Sequence, residues 1–154
     1  MAKAVPAGDD RPDLAAMIVP LGRALMEAER PVLARFGLTM WGYVVLSALD
    51  RQHVRTQAAL AKAIRADKTR IIADLDELEG RGLISRSPDP ADRRVNLLSL
   101  TPAGRALRRR TRDAIRVHED RLLGELPAGQ RDQFVRALRH LAALPWGQLA
   151  GEPA

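Results

Sequence analysis

The chain has 154 residues, of which 46% are hydrophobic and 29% are charged, as is ordinary for one globular domain. It contains no cysteine, which excludes disulfides, thiolate metal sites and thiol-based redox sensing. The sequence shows no signal peptide and no apolar run near the roughly 18 residues of a membrane helix, so we expect a cytoplasmic protein with no membrane partner.

The net charge of +6 is concentrated in one segment of the chain. Residues 81–112 carry nine arginines and two aspartates, whereas the rest of the chain is close to neutral. Such a segment is typical of nucleic-acid binding. Part of it, including Arg108 to Arg110, is equally explained as the solvated face of a basic helix. Aromatic residues make up only 3% of the chain, which argues against proteins that bind RNA or single strands by base stacking.

The first third of the chain predicts a tail and two helices. Residues 1–12 are rich in proline, glycine and aspartate, and we expect a mobile tail. Apolar residues recur at helical spacing over residues 13–36, although Pro20 and Pro31 should kink or restart this helix. Thr39 is expected to cap a compact apolar helix that ends near Leu49.

A helix-turn-helix is predicted next. Thr56 to Ile64 forms a short helix with Thr56 as its N-cap, and Arg65-Ala66 forms the turn. Asp67 then caps a second helix that runs to Glu79 and stops at the glycines that follow.

The second of these helices has two distinct faces. Ile71, Leu75 and Leu78 form one apolar stripe that should face a core, whereas Thr69 and Ala73 point the opposite way. The C-terminal half is crowded with carboxylates that phosphates would repel. We therefore expect only the N-terminal turns of this helix to enter a major groove.

A β-hairpin with a basic tip follows the helix-turn-helix. The apolar pair Leu83-Ile84 leads into a polar loop from Pro88 to Arg94, and the run from Val95 to Leu100 returns from it. Arg93 and Arg94 at the tip suit a polyanion groove. The alternative for Arg93 is an ordinary solvated charge.

Two further helices end the chain. Pro102 is placed at the start of a long helix, and Pro127 is expected to open a final helix that carries Phe134 and Leu138. Residues 146–154 resemble the N-terminal tail in composition. A domain whose core consists of three helices and a hairpin does not need the long helices at both termini. Their apolar faces are therefore expected to pack either against a second subunit or against one another.

The order helix, turn, helix and basic hairpin resembles the multiple antibiotic resistance regulator (MarR/SlyA) family of dimeric transcription factors. The sharpest match is D-R-R at 92–94 followed by L-T-P-A-G at 100–104. Further matches are G-L-T at 37–39, D-K-T at 67–69, L-D-E-L-E at 75–79 and G-L-I at 82–84. The resemblance covers roughly residues 20–145.

The resemblance implies a mainly α fold, a winged helix-turn-helix with a small β-hairpin wing and additional dimerisation helices at both ends. Residues 13–145 would form the domain, with 39–101 as the DNA-binding lobe and 13–36 and 102–145 as the dimerisation helices. The expected protein is a homodimeric repressor that binds pseudo-palindromic double-stranded DNA and is released by a small aromatic or phenolic anion.

Each candidate DNA contact follows from side-chain chemistry or from the resemblance. Arginine can bond guanine, threonine can bond bases of either type, and an alanine methyl can touch a thymine methyl. Many family members carry a basic residue where this chain has Ala73. In the family the position of Arg94 enters the minor groove, with Asp92 orienting it or tying the loop. The candidates are Lys68, Thr69, Arg70, Ala73, Asp92, Arg93 and Arg94.

Other kinds of site are less well supported. No cofactor, metal or catalytic site is expected, since the three histidines have neither metal-ligand spacing nor a nucleophile partner. An effector pocket would be sought near Arg23, Trp41, Tyr43, His53 and His118, although a packing role is the simpler explanation for each.

Two rival functions remain open on the sequence. The first is a non-specific architectural DNA-binding protein, which would share the fold and the charge. The second is a protein-interaction module whose winged helix no longer touches DNA, and the intact basic tip argues against it.

Overall fold

The computed structural model describes residues 12–51, 54–67 and 69–145. The elements are α1 (Leu14–Arg35), α2 (Met40–Arg51), β1 (Val54–Thr56), α3 (Gln57–Ala63), α4 (Ile72–Gly80), β2 (Ile84–Pro88), β3 (Asn96–Leu100), α5 (Pro102–Leu123) and α6 (Gln130–Ala142). They form two compact units, one up to Ile115 and one from Arg116 onwards. The predicted mainly α fold with a hairpin wing is confirmed. Most of both predicted tails lies outside the described residues.

The core of the first unit lies between α2, α3, α4 and the sheet. Leu46 and Leu49 of α2 are fully buried, as are Leu60 of α3 and Leu98 of β3. The predicted stripe of Ile71, Leu75 and Leu78 is also buried, which confirms the inward face of this segment. Burying side chains of this size contributes about 1.5–3 kcal/mol each.

Helix α1 is one continuous helix that contains both Pro20 and Pro31. Of the two predicted effects of the prolines, a restart of the helix is therefore wrong, whereas a kink stays a prediction. The buried residues of this helix are Val32 and Leu33, close to its end. Its large exposed apolar side chains are those of Leu14, Met17, Ile18, Val19, Leu21 and Met26.

The sheet has three antiparallel strands in the order β1-β3-β2. The hairpin pairs Ile84 with Leu100 and Pro88 with Asn96, as its predicted position requires. Strand β1 pairs Arg55 with Leu98 on the other edge of β3 and was missed in the sequence. A strand of three residues is too short to show the alternation that identifies strands.

The first helix of the helix-turn-helix lies where it was predicted, whereas the second helix starts later than predicted. Thr56 caps α3 by accepting a hydrogen bond from the Ala59 amide at 3.0 Å, and Arg65 in the turn adopts a left-handed φ of +52°. Regular helix in α4 starts at Ile72, not at Asp67. Residues 69–71 form turns instead, because the Arg70 amide bonds the Asp67 carbonyl three residues back, at 3.1 Å. Thr69 and Arg70 thus precede the helix.

The L-T-P-A-G segment joins the sheet to α5. The Thr101 amide bonds the Leu83 carbonyl at 3.1 Å, and its hydroxyl bonds the Gly82 carbonyl at 2.7 Å. The same oxygen accepts from the Gly104 amide at 3.0 Å, so Thr101 caps α5. A side chain on Gly104 would collide with the Leu83 carbonyl oxygen. This part of the matched motif has a structural role.

The second unit contains the end of α5 and all of α6. Helix α6 begins at Gln130, after Gly129 with φ +84°, and not at Pro127 as predicted. Pro127 lies in the preceding turn, where its carbonyl accepts from the Gln130 amide at 3.0 Å. Phe134, Leu138 and Leu141 of α6 are exposed.

No single helix in the described part of the chain has both the length and the apolar character to cross a membrane. Helices α1 and α2 meet those criteria only when joined, and they are bent by 84° at the break between them.

Candidate nucleic-acid interface

The reading segment, residues 67–73, is organised by Asp67. The Asp67 carboxylate accepts from the Thr69 amide at 2.7 Å and from the Thr69 hydroxyl. These bonds, the hydroxyl bond first, lower the pKa of Asp67 below its usual value. Thr69, Arg70 and Ala73 are all exposed, and their contact with DNA stays a prediction. Lys68 lies outside the described residues.

The wing tip, residues 89–95, is closed by its own aspartates. The Asp92 carboxylate accepts from the Arg94 amide at 3.0 Å, and its carbonyl accepts from the Val95 amide at 2.9 Å. The Asp89 amide bonds the Val95 carbonyl at 2.8 Å across the loop. Asp92 therefore ties the loop through the backbone of Arg94. Arg93 and Arg94 are both exposed.

The reading segment and the wing meet at one cavity of about 560 Å³. Thr69 and Ile72 line it on one side, and Arg94 and Asn96 line it on the other. Gln57 at the start of α3 also contributes. Arg70, Ala73, Asp92 and Arg93 are not among its lining residues. Gln57 and Asn96 were missed in the sequence, where isolated polar residues gave no signal.

The carboxylates of α4 have partners within the protein. Asp74 accepts from the Thr39 hydroxyl at 2.5 Å, which ties α4 to the start of α2. Asp76 and Glu79 each bond the Arg86 guanidinium of β2 at 2.7 Å. These contacts tie α4 to the start of α2 and to β2, and Arg86 partly neutralises the acidic half of the helix.

Much of the arginine excess is likewise used within the first unit. Arg105 and Arg108 pair with Asp50 at 3.1 and 2.7 Å, and Arg110 lies 5.7 Å from the centre of the Phe36 ring. Within the described ranges, no ion pair is observed for Arg93 or Arg94. Arg93 and Arg94 are therefore exposed cations of the basic segment that keep their charge available to a polyanion.

Comparison with known proteins agrees with this architecture. The MarR family model matches residues 38–95. The HTH-type transcriptional repressor NicR of Pseudomonas putida is 35% identical over 68% of this chain and 66% of its own length. The structure of the repressor CouR bound to a 23-mer DNA duplex has a TM-score of 0.74 and 31% identity, and the match covers 91% of this chain and 99% of CouR.

The chain belongs to the MarR family. It is accordingly a winged-helix transcriptional regulator and not an enzyme. A further similar structure is Rv2887 of Mycobacterium tuberculosis in complex with p-aminosalicylic acid, with a TM-score of 0.73 and 26% identity over 86% of this chain and all of that one. CouR of Rhodococcus jostii has also been solved with p-coumaroyl-CoA, with a TM-score of 0.69 and 29% identity over 85% of this chain and 92% of that one.

None of the described effector candidates lines the groove that the structure shows between α1 and α2. Trp41 and Tyr43 pack against the core, Arg23 is exposed on α1, and His118 is half-buried on α5. His53 lies outside the described residues. A groove of about 380 Å³ instead lies between α1 and α2, with an apolar floor that includes Leu33, Leu38 and Met40. Across the described ranges, no cluster of side chains could hold a metal ion.

Arg86 of this MarR-family wing is predicted to position the hairpin on α4. Arg86→Met keeps the aliphatic stem but leaves Asp76 and Glu79 unpaired, so we expect a loss of about 1–2 kcal/mol after allowance for solvent exposure. Urea unfolding measures that loss, and DNA affinity should fall with it. Arg112→Met removes only an exposed pair with the adjacent Asp113 and should change neither quantity. Unchanged stability in Arg86→Met would contradict the positioning role.

Proposed function

We propose that this regulator is a homodimeric repressor that binds a pseudo-palindromic DNA duplex. The observation that carries the proposal is the pairing pattern of the arginines: those near the core are neutralised, whereas Arg93 and Arg94 are exposed on the wing. Thr69 and Arg94 line the same cavity, so one face presents both a reading segment and a basic finger. From that face Thr69 would read the major groove and Arg94 would enter the minor groove. Lys68, Arg70 and Ala73 are proposed as further major-groove contacts.

The dimer would be built from residues 13–36 and 102–145, around a DNA-binding lobe of residues 39–101. The support is the apolar surface that these helices expose. Ile18 of α1 is 55% exposed and Leu138 of α6 is 52% exposed. Several large apolar side chains exposed on one helix are typical of an interaction site, and two-fold homodimers are the commonest assemblies of soluble proteins.

Light scattering at micromolar concentration is expected to give about twice the chain mass of 16.9 kDa. Leu138→Glu should shift the protein towards monomer, because it places a charge in an apolar interface. Gln133→Glu is the matched control, because it places a charge on the same helix but replaces a side chain that is already polar. A wild-type monomer that binds a palindrome tightly would contradict the dimer proposal.

The proposed effector is a small aromatic or phenolic anion. The groove between α1 and α2 supports an aromatic ligand, since Leu33, Leu38 and Met40 line it. Arg30 and Glu27 also line the groove and pair with each other at 2.9 Å, so an anion would have to compete with Glu27 for Arg30. Structures similar to this chain hold p-aminosalicylic acid and p-coumaroyl-CoA. A ligand that binds best when the two DNA-binding lobes are at a spacing unsuited to DNA would shift the dimer towards that spacing, and the dimer would release DNA.

Selection of binding sites from random DNA duplexes tests the function. A recovered palindrome supports a sequence-specific regulator, and sequence-independent binding would support an architectural protein instead. Repeating the selection with p-aminosalicylic acid and related aromatic acids tests for release. Absence of any DNA binding, checked by gel shift on the promoter of its own gene, would favour the protein-interaction module.

A further inference from the structure

The hydrogen bond between Thr69 and Asp67 has a fixed direction. The Asp67 carboxylate is held in its ionised form by the bonds it receives, and an ionised carboxylate can only accept. The Thr69 hydroxyl must therefore be the donor. Its single proton is directed at Asp67, and the bond is strengthened because the acceptor is charged.

This direction limits what the Thr69 oxygen can offer to another molecule. A threonine hydroxyl has one proton and two lone pairs, so once the proton is used only acceptor capacity remains. Thr69 is exposed and borders the cavity that Arg94 and Asn96 also line. A partner that approaches from this side meets an acceptor.

DNA bases differ in what they offer to such an acceptor. In the major groove, adenine N6 and cytosine N4 carry amino protons, whereas guanine O6 and N7 and thymine O4 only accept. Phosphate oxygens also only accept. A threonine with a free hydroxyl could bond to any of these groups.

We propose that Asp67 makes Thr69 a selective reader, which bonds the amino group of adenine or cytosine and disfavours guanine, thymine and phosphate at its position. The inference rests on the proposed DNA-binding function and adds a specificity-determining role for Asp67, which itself touches no base. To bond a keto base, Thr69 would first have to release its charge-assisted bond to Asp67, and that release sets the size of the discrimination.

Binding-site selection with the full-length protein and three variants tests this role. Thr69→Val removes the hydroxyl at nearly constant shape and identifies the base position that Thr69 contacts. Wild type should select adenine or cytosine there, over keto bases, by roughly three- to tenfold. Asp67→Ala frees the Thr69 hydroxyl to donate, so this variant should select amino and keto bases about equally at that position. Asp67→Asn keeps an acceptor oxygen without the charge, so it should retain the direction of the preference at a smaller size than the wild type.

The outcomes separate this inference from the function on which it rests. If Asp67→Ala selects a palindrome with the wild-type base at that position, the proposed role of Asp67 is overturned. The proposed regulator function is not affected by that result. A guanine or thymine selected by the wild type, or a Thr69→Val selection identical to the wild type, also overturns it. If the wild type selects no sequence at all, the proposed function fails and the inference fails with it. Circular dichroism of each variant confirms that the comparison is between folded proteins.

Discussion

Arg94→Ala is expected to weaken DNA binding on the order of 100-fold, because a dimer would lose two charge-assisted contacts. Arg94 lies on an exposed tip closed by Asp92, and it makes no ion pair with the rest of the described chain. Its guanidinium is therefore free to follow the negative potential of a narrow minor groove.

The salt dependence should change together with the affinity. Each phosphate-neutralising cation contributes about −0.9 to the slope of log K against log salt, so the slope should flatten by about 2 for the dimer. The loss should be similar across many sequences, since minor-groove potential carries little base information. Titration of the selected site and its single-base variants at two salt concentrations measures both effects.

Two other arginines provide the comparison for this experiment. Arg70→Ala should instead relax preference at one position of each half-site, at a cost of about 1–3 kcal/mol there. Arg109→Ala removes an equally exposed charge from α5, away from the wing, and should have little effect. If Arg94→Ala leaves both affinity and slope unchanged, the wing does not enter DNA.

Gly104→Ala is expected to destabilise the folded protein by about 3 kcal/mol or more, beyond the usual cost of overpacking. An added Cβ would lie 2.0 Å from the Leu83 carbonyl oxygen and 2.8 Å from Leu100 Cδ1. The first of these atoms belongs to the backbone that precedes β2, so it cannot move aside as a flexible side chain could. The start of α5 would have to shift away from the sheet.

Gly80→Ala is the matched control for this substitution. Gly80 ends α4, an added Cβ meets nothing within 4 Å, and its φ is not positive. Alanine should therefore be neutral there or stabilise by about 0.5–1 kcal/mol through helix propensity. Chemical denaturation of both variants measures the difference. Equal stability of the two variants would show that α5 does not approach the sheet as closely as the structure indicates.

Several local features could be predicted from the sequence because each depends on residues close together in the chain. Thr39 and Thr56 cap their helices through amides three residues ahead, at 2.8 and 3.0 Å. The stripe from Ile71 to Leu78 required only helical periodicity and is buried as expected. The hairpin required only two apolar runs around a polar tip. These features are sufficient to indicate the family.

Other features were inaccessible because they depend on contacts between distant residues. Strand β1 exists only as a partner of β3. The start of α4, in contrast, depends on a local turn that Asp67 and Thr69 form in place of a helical one, and helical periodicity does not distinguish the two. Local propensity also misplaced the start of α6 at Pro127 and predicted a kink or a restart of α1 at its prolines, where the structure shows no restart.

The sequence by itself determined the helix-turn-helix, the basic hairpin and the family, since short-range spacing encodes all three. Only the tertiary structure decided which charges are available. Asp50 neutralises Arg105 and Arg108 from more than 50 residues away, and Asp76 and Glu79 neutralise Arg86 across the helix–strand junction. An arginine in a sequence is simply a cation, and its capacity to bind DNA depends on whether folding brings a carboxylate within hydrogen-bond distance.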